Sequence, residues 1–410
     1  MDSLPEQRPT RIALLVDSIH PRARASQQPA SLAAGLVRLG AAAEVVKVHA
    51  GVLARVPREG PLWREEERLR VAAQNADADQ APADPDREEE AVLGGLLDFC
   101  PDALIAYDGS SPAAWIGARA SARLRRPLLL IEPAWTSMRS LRDRVLEGLG
   151  RRLWGRLVRS QTRHVFAMDP LAQRLAMDRG YGASRIELLP VGVDCETFRP
   201  GRPTAWVTRF ALRGRILLYV GPLEPGRGVE MLIRAFARSI GQREDWCLVL
   251  AGSGSLSHRC VVLASRLGIA DRVHPVPYPT PEELPGLMGA STLMAVPAVD
   301  DRTRGAQIPR ALACGLPVIA TDLERIAWQL ADGEQGLLFD PGDEEQLRAA
   351  LARAASSPEL RRRWSAAGRQ RALERDWTKI AGIVLDGVQR EIGTYSHPDS
   401  SADAPIERRA

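Results

Sequence analysis

Arginines surround a glycine just before a predicted helix in the stretch "DDRTRGAQIPRALACG". The cluster consists of Arg302, Arg304, Gly305 and Arg310. A guanidinium group offers several hydrogen-bond donors in one plane, and the amides at the start of a helix point toward anions. The cluster therefore predicts a site for a diphosphate or an anionic sugar. In the alternative interpretation the arginines face solvent and form ordinary ion pairs with neighbours such as Asp300 and Glu324.

The elements that would position this cluster alternate along almost the whole chain. Short apolar runs typical of buried parallel strands are separated by helical patterns. The runs are "RIALLVDS", "AEVVKVH", "DALIAYDGS", "PLLLIEPAW", "RHVFAMD", "RILLYVG", "CLVLAGSGS", "DRVHPVPY", "LMAVPAV", "PVIATD" and "GLLFD". This alternation predicts doubly wound α/β domains, in which the carboxyl ends of the strands face a ligand crevice.

A chain of 410 residues most naturally forms two such domains with a cleft between them. The stretch 199–214 is rich in Pro, Gly and Arg, and a new strand and helix follow it. We place the domain boundary there. The predicted domains are residues 1–200 and 210–377.

Composition excludes several functional classes. The net charge is only +4, and no basic block is interleaved with aromatic residues, so we expect no nucleic-acid partner. The cysteines have no CxxC spacing, and no cluster of carboxylates suggests a bound cation, so we expect neither disulfides nor a metal ion. No basic segment precedes the first apolar run, and no run approaches about 18 apolar residues, which favours a cytoplasmic protein, at most peripheral to a membrane.

Two further segments stand out. Residues 75–92 contain mostly Ala, Asp, Pro and Glu, and predict an exposed, mobile loop. Residues 137–165 predict an amphipathic helix with one apolar face and many arginines. That helix could rest on an anionic bilayer and reach a lipid-linked acceptor, but packing of its apolar face on the N-terminal sheet is the favoured interpretation.

The chain resembles the family 4 glycosyltransferases from about residue 10 to residue 393. The segments that carry the resemblance are "PVGVDCETFRP" (190–200), "YVGPLEPGRGVEMLIRAF" (219–236), "AGSGSL" (251–256), "RALACGLPVIATD" (310–322) and "DGEQGLLFDPGD" (332–343). The resemblance implies the GT-B architecture, an α/β fold of two Rossmann-like domains facing across a cleft. It also implies that the helix 378–393 crosses back to the N-terminal domain, which leaves 394–410 as a disordered tail.

On the donor side, the resemblance implies that a loop after the first C-terminal strand clamps the diphosphate of a nucleotide sugar. The family's arginine position is Pro222 here, while the lysine position is Arg227, which still offers a cation. Further donor-binding candidates are glycines whose backbone could approach the ligand: Gly221, Gly228, Gly252, Gly254 and Gly305. The alternative is that glycines at a strand-to-helix turn serve the backbone conformation alone.

The site also departs from the family. Arg302 and Arg310 occupy positions where the family has two glutamates, one near the sugar and one at the nucleotide ribose. A guanidinium cannot accept a ribose hydroxyl proton and would repel positive charge on a departing sugar. A small shift of the loop could return Asp300 or Asp301 to the sugar.

Other departures lie on both sides of the cleft. The paired glycines that the family has after "TD" are Glu324 and Arg325 here. The histidines expected at the tips of two N-terminal strands are absent, and those tips offer Asp108 and Glu132. Asp108 is the candidate polar group on the acceptor side.

The resemblance implies a retaining hexosyltransferase that uses a UDP- or GDP-sugar as donor and needs no cofactor. The acceptor would be a glycan, a lipid-linked molecule or a small molecule. Because catalytic positions are substituted, a second hypothesis is a degenerate GT-B protein that acts as partner of another transferase or binds a nucleotide sugar. In the transferase hypothesis the catalytic candidates are Asp108, Asp300 and Asp301, and Arg302 and Arg310 join Arg227 in the donor site.

Overall fold

The computed structural model describes residues 8–16, 27–48, 52–55, 85–133, 155–201, 204–300, 303 and 305–395. Within these residues the chain forms two sheets, each covered by helices on both faces. The two sheets follow each other in sequence, as the repeated alternation of apolar runs and helical patterns predicts.

The N-terminal sheet has the strand order β3-β2-β1-β4-β5-β6-β7 in the described residues. The strands are β1 (Arg11–Val16), β2 (Ala42–Lys47), β3 (Val52–Arg55), β4 (Ala103–Tyr107), β5 (Leu128–Glu132), β6 (Thr162–Ala167) and β7 (Ile186–Leu188). All pairs are parallel except the edge pair β2 and β3. The central strands are buried on both faces, which explains why they are continuous apolar runs rather than alternating ones.

Helices cover both faces of this sheet. They are α1 (Gln27–Arg38), α2 (Pro85–Phe99), α3 (Pro112–Leu124), α4 (Gly155–Gln161) and α5 (Pro170–Asp178). Helices α3 and α5 begin with the same local signals: Ser111 and Asp169 cap the first turn with their side chains, and a proline follows each cap.

The C-terminal sheet is parallel and has the order β10-β9-β8-β11-β12-β13. Its strands are β8 (Arg215–Val220), β9 (Trp246–Ala251), β10 (Val273–Val276), β11 (Leu293–Val296), β12 (Val318–Thr321) and β13 (Gly336–Phe339). The flanking helices are α6 (Trp206–Arg209), α7 (Val229–Ser239), α8 (Ser257–Arg266), α9 (Leu284–Ala290), α10 (Ile308–Ala313), α11 (Glu324–Ala327), α12 (Glu344–Ser356) and α13 (Pro358–Glu374). Chain order reverses between β8 and β11, and this switch point is where ligands bind in open α/β sheets.

The last helix, α14 (Trp377–Tyr395), crosses back and packs on α1 of the N-terminal domain. A β-carbon on Gly35 of α1 would lie 2.8 Å from both the β-carbon of Ala381 and the carbonyl oxygen of Trp377. The two helices therefore touch through their backbones, which a larger residue at position 35 would prevent.

Two boundary predictions need correction. Residues 85–92 are the first half of α2 rather than a loop, while residues 75–84 lie outside the described residues. The acidic run suits a helix start, and the apolar spacing of Val92, Leu96 and Phe99 buries the second half of the helix in the N-terminal core. Helix α14 also continues through Thr394 and Tyr395 into the predicted tail, because the Tyr395 ring packs beneath the guanidinium of Arg163.

The predicted amphipathic helix is described only in part. Residues 137–154 lie outside the described residues, and α4 covers residues 155–161. Val158 of α4 is buried in the N-terminal core, and Leu157 packs against it. Among the helices that the structure describes, none combines the length and apolar content that a membrane span needs.

Two helical glycines give a matched test of this packing. We expect Gly35→Ala to lower the free energy of unfolding by about 1–3 kcal/mol, because the added methyl must push α14 away from α1. Gly94→Ala in α2 is the control: no atom of the described residues lies within 4 Å of its β-carbon position, so alanine should be neutral or stabilise by up to about 1 kcal/mol. Chemical denaturation of both variants measures the difference, and equal effects would contradict the proposed helix contact.

Candidate functional site

The loops that follow β8 and β11 touch at the switch point of the C-terminal sheet. Gly228, which caps α7 with φ 70°, has a β-carbon position only 1.6 Å from the carbonyl oxygen of Pro297. The amide of Val299 donates to the carbonyl of Gly226, at 3.0 Å. No side chain fits at position 228, so glycine is required there by both the space and the backbone angle.

A cation and a carboxylate lie on this turn. The Arg227 guanidinium donates to the Oγ1 of Thr303 at 2.5 Å, which ties the loop after β8 to the loop before α10. The Oδ2 of Asp300 lies 2.6 Å from the β-carbon position of Gly226, so its carboxylate packs against the turn itself. The structure thus brings together Arg227, Asp300 and Gly228, three of the residues predicted from the sequence.

The glycines at positions 221, 252 and 254 join the loop after β8 to the loop after β9. A β-carbon on Gly252 would lie 1.9 Å from the carbonyl oxygen of Gly221, and one on Gly254 would lie 2.3 Å from that of Leu223. Their small size is therefore used for contact between the two loops. Donor binding by Gly221, Gly252 and Gly254 stays a prediction.

Glu224 fastens the same two loops. Its carboxylate accepts hydrogen bonds from the amide of Ser255 at 2.8 Å and from the Ser255 hydroxyl at 2.5 Å. These bonds lower the pKa of Glu224, so the carboxylate is charged at neutral pH. The amide of Ser255 is thereby occupied by a group of the protein.

The structure describes only part of the arginine cluster around Gly305. Asp301, Arg302 and Arg304 lie outside the described residues. Gly305 is buried with φ 62°, and its β-carbon position is 3.0 Å from the amide nitrogen of Gln329. The Arg310 guanidinium lies 5.3 Å from the ring centroid of Phe198, in the segment that links the two domains. This cation–π contact joins Arg310 to the linking segment, and donor binding by Arg310 stays a prediction.

A further hydrogen bond joins two loops at the carboxyl edge of the C-terminal sheet. The Gln307 amide nitrogen donates to the hydroxyl of Tyr278 at 2.9 Å, which joins the start of α10 to the segment after β10. The Gln307 amide oxygen is buried and has no hydrogen-bond partner among the described residues. No local pattern predicts this pair, since the two residues belong to different loops.

On the N-terminal side, Asp108 follows β4 in the left-handed region with φ 63°. Its Oδ1 accepts hydrogen bonds from the amide and the hydroxyl of Ser110, at 3.1 and 2.6 Å. A residue other than glycine in this conformation often marks a constrained functional loop, although aspartate tolerates it better than most residues. Only 8% of the residue's surface is exposed.

Glu132 at the tip of β5 is buried beneath that turn. Its carboxylate accepts from the amide of Gly109 at 3.0 Å and from the Arg179 guanidinium at 2.7 Å. Burial raises the pKa of Glu132 to about 7, against the opposing effect of Arg179. A β-carbon at position 109 would lie 2.4 Å from the Glu132 carboxylate, so a larger residue there would displace the Glu132 side chain. Glu132 therefore anchors the loop that carries Asp108.

Among the described residues, no group of three or more His, Cys, Asp or Glu side chains could hold a metal ion. The site that the structure describes is built instead from Arg227, Asp300 and glycine turns in one domain, and from Asp108 above Glu132 in the other. The sequence missed Thr303 and Arg179 as partners. Both bonds join residues that are far apart along the chain.

Comparison with known proteins shows similarity to glycosyltransferases over part of the chain. The family "Glycosyl transferases group 1" matches residues 204–371, which contain the whole C-terminal sheet. A D-inositol 3-phosphate glycosyltransferase of Acidothermus cellulolyticus is 33% identical over 224 residues, which cover 52% of this chain and 49% of that protein. The protein of the same name from Segniliparus rotundus is 29% identical and covers 56% and 53%.

Residues 204–371 are thus similar to the group 1 glycosyl transferases, and about half of the chain is similar to these relatives. The chain spans about half the length of the curated relatives that it matches.

Solved structures match nearly the whole length of this chain. A structure of Anabaena HepE in complex with UDP has a TM-score of 0.69 at 18% identity, and covers 93% of this chain and 100% of that one. A glycosyltransferase from Rickettsia africae has a TM-score of 0.72 at 14% identity, and covers 94% and 99%. The architecture is therefore GT-B, with two Rossmann-like domains, as the sequence motifs predict.

Glu132 makes the stability of the folded chain depend on pH. Its pKa is raised in the folded chain from an ordinary value of 4.5 to about 7, so its contribution to stability is fully present below about pH 4.5. That contribution is lost as the pH rises through about 7. We expect thermal unfolding between pH 5 and 8 to show this loss, and Glu132→Gln to remove it.

Glu224→Gln is the control, because the pKa of Glu224 is lowered and this carboxyl does not titrate in that range. If Glu132→Gln keeps the pH slope of the unmodified protein, the titration belongs to another group.

Proposed function

We propose that the protein transfers a sugar from a nucleotide-sugar donor to an acceptor hydroxyl with retention of configuration. The observation that carries the proposal is the placement of Arg227 and Asp300 beside one glycine turn at the switch point of the C-terminal sheet. Relatives named as glycosyltransferases, and the structural likeness to an Anabaena protein solved with UDP and with UDP-glucose, support the same substrate class.

The proposed step begins with a UDP- or GDP-sugar held mainly by the C-terminal domain. The bond between the anomeric carbon and the diphosphate oxygen breaks, and the Arg227 guanidinium stabilises the charge that accumulates on the diphosphate. The amides at the start of α7, an eleven-residue helix, add donors on the same side.

The Asp300 carboxylate would face the positive charge that develops on the sugar, in place of the carboxylate that Arg302 replaces. An acceptor hydroxyl on the N-terminal side then attacks the same face of the sugar, and its proton passes to the departing diphosphate. Asp108 is the candidate group that orients this hydroxyl, because Glu132 and Ser110 fix its loop.

The acceptor is a glycan, a lipid-linked molecule or a small molecule. Inositol 3-phosphate is the first small acceptor to test, because the curated relatives carry it in their names. We expect the reaction to proceed in the cytoplasm and without a bound cofactor.

Removal of the Arg227 guanidinium tests the donor site. We expect Arg227→Ala to weaken the binding of UDP or GDP sugars by about 10- to 100-fold, the loss typical of one or two charge-assisted hydrogen bonds. Arg227→Lys should keep part of the affinity, because it keeps the charge. Calorimetric titration with a panel of UDP- and GDP-sugars measures both variants.

Arg238→Ala is the matched control, because Arg238 lies on α7 but pairs with the exposed side of Glu344. Absence of binding to every donor would reject the proposal. So would an Arg227→Ala variant that binds as well as the unmodified protein.

The Asp300 carboxylate should matter for turnover rather than for binding. We expect Asp300→Asn to lower kcat about 100-fold while the affinity for the donor changes less than threefold, since the amide keeps the size of the side chain but not its charge. The measurement is the release of nucleoside diphosphate with inositol 3-phosphate and with glycan acceptors. Donor binding with no turnover in the unmodified protein would favour the nucleotide-sugar-binding module instead.

A further inference from the structure

Two ion pairs join helix α5 of the N-terminal domain to helix α11 of the C-terminal domain. The Arg174 guanidinium donates through both terminal nitrogens to both carboxylate oxygens of Glu324. The Nε of Arg325 donates to the Oδ2 of Asp169 at 3.0 Å. We call Asp169, Arg174, Glu324 and Arg325 the α5–α11 latch.

The inner pair of the latch is buried. Only 5% of the Arg325 side chain and 12% of the Asp169 side chain are exposed. The second carboxylate oxygen of Asp169 accepts from the amide of Ala172 at 2.8 Å and so caps α5. Separation of the domains would leave both charges without this partner, which costs far more than the loss of an exposed ion pair.

The outer pair is exposed, with 54% of the Arg174 side chain and 45% of the Glu324 side chain open to solvent. Its bidentate geometry is the favourable one for a surface pair, and the contact lowers the pKa of Glu324. The order of the charges adds specificity. The acid Asp169 at the start of α5 faces the base Arg325, and the base Arg174 faces the acid Glu324. A shift that exchanged the partners would bring like charges together.

Gln329, two residues after the end of α11, contacts the loop before α10. The Gln329 amide nitrogen donates to the carbonyl of Arg325 at 3.0 Å and lies 3.0 Å from the β-carbon position of Gly305. Two residues before Gly305, Thr303 accepts the hydrogen bond of Arg227. A short series of contacts therefore leads from the latch to the loop that bonds to Arg227.

We propose that the α5–α11 latch holds the two domains in one closed arrangement in the absence of any ligand, and orders the loop around Gly305 from the side of the cleft. Glycines at positions 324 and 325, which the family resemblance implies, would supply neither charge. The latch does not depend on whether the protein transfers a sugar, so its test uses no donor and stays separate from the test of the proposed function.

The experiment combines small-angle X-ray scattering with hydrogen exchange of the full chain without ligand. Arg174→Glu places two acids together in the outer pair, and Arg174→Glu with Glu324→Arg restores the pair with the charges exchanged. Asp169→Asn removes the charge of the inner pair but leaves a side chain that still caps α5. Arg348→Glu is the control, because Arg348 pairs with Glu345 on the exposed face of a single helix.

We expect a larger radius of gyration for Arg174→Glu at low salt, and exchange in residues 305–330 about 5-fold faster. Asp169→Asn should speed that hydrogen exchange about 100-fold, since it removes the negative charge that bonds to the buried Arg325 guanidinium. The double variant Arg174→Glu with Glu324→Arg should return the radius of gyration and the hydrogen-exchange rate to those of the unmodified protein, and the control should change neither.

The proposal would be overturned by single variants that leave both measurements unchanged. It would also be overturned by a double variant whose radius of gyration stays enlarged.

Discussion

The approach of backbones at the carboxyl edge of the C-terminal sheet is the constraint on which the site depends. Gly228 lies against the carbonyl of Pro297, and Gly252 against that of Gly221, at distances that admit no β-carbon. These contacts bring the loops after β8, β9 and β11 together at the switch point. Arg227 and Asp300 both lie beside the glycine turn that these loops form.

Three charged side chains of the candidate site form hydrogen bonds with other groups of the protein. Arg227 bonds to Thr303, Asp108 to Ser110, and Glu132 to Arg179. Such bonds hold a side chain in one orientation before any ligand arrives, which reduces the entropy lost on binding. These bonds also occupy some of the donors and acceptors that a ligand would otherwise contact. A guanidinium has five N–H donors, so Arg227 keeps donors for an anion beside its bond to Thr303, whereas a carboxylate can only accept hydrogen bonds.

Much of the fold could be predicted from the sequence because its signals are local. The apolar runs at β8 and β9 are buried strands, and the glycine turn before α7 is where the sequence places it. Helix α2 was missed because its first half is polar and its apolar spacing starts only at Val92. The site was harder to predict, since the partners that fix it are distant: Asp169 and Arg325 are separated by 156 residues, and Arg227 and Thr303 by 76. No spacing rule in one sequence connects them.

Close backbone contacts and ion pairs between the domains constrain the sequence in different ways, which explains how a recognisable fold can carry an altered site. A position such as 228 tolerates no side chain, because the neighbouring backbone occupies the space. Positions 324 and 325 accept charged residues, because Arg174 and Asp169 across the cleft provide opposite charges at bonding distance. The sequence at such positions can change as long as partners change with it. The fold therefore depends on its backbone contacts, while the charge of the cleft is set by pairs of residues that lie in different domains.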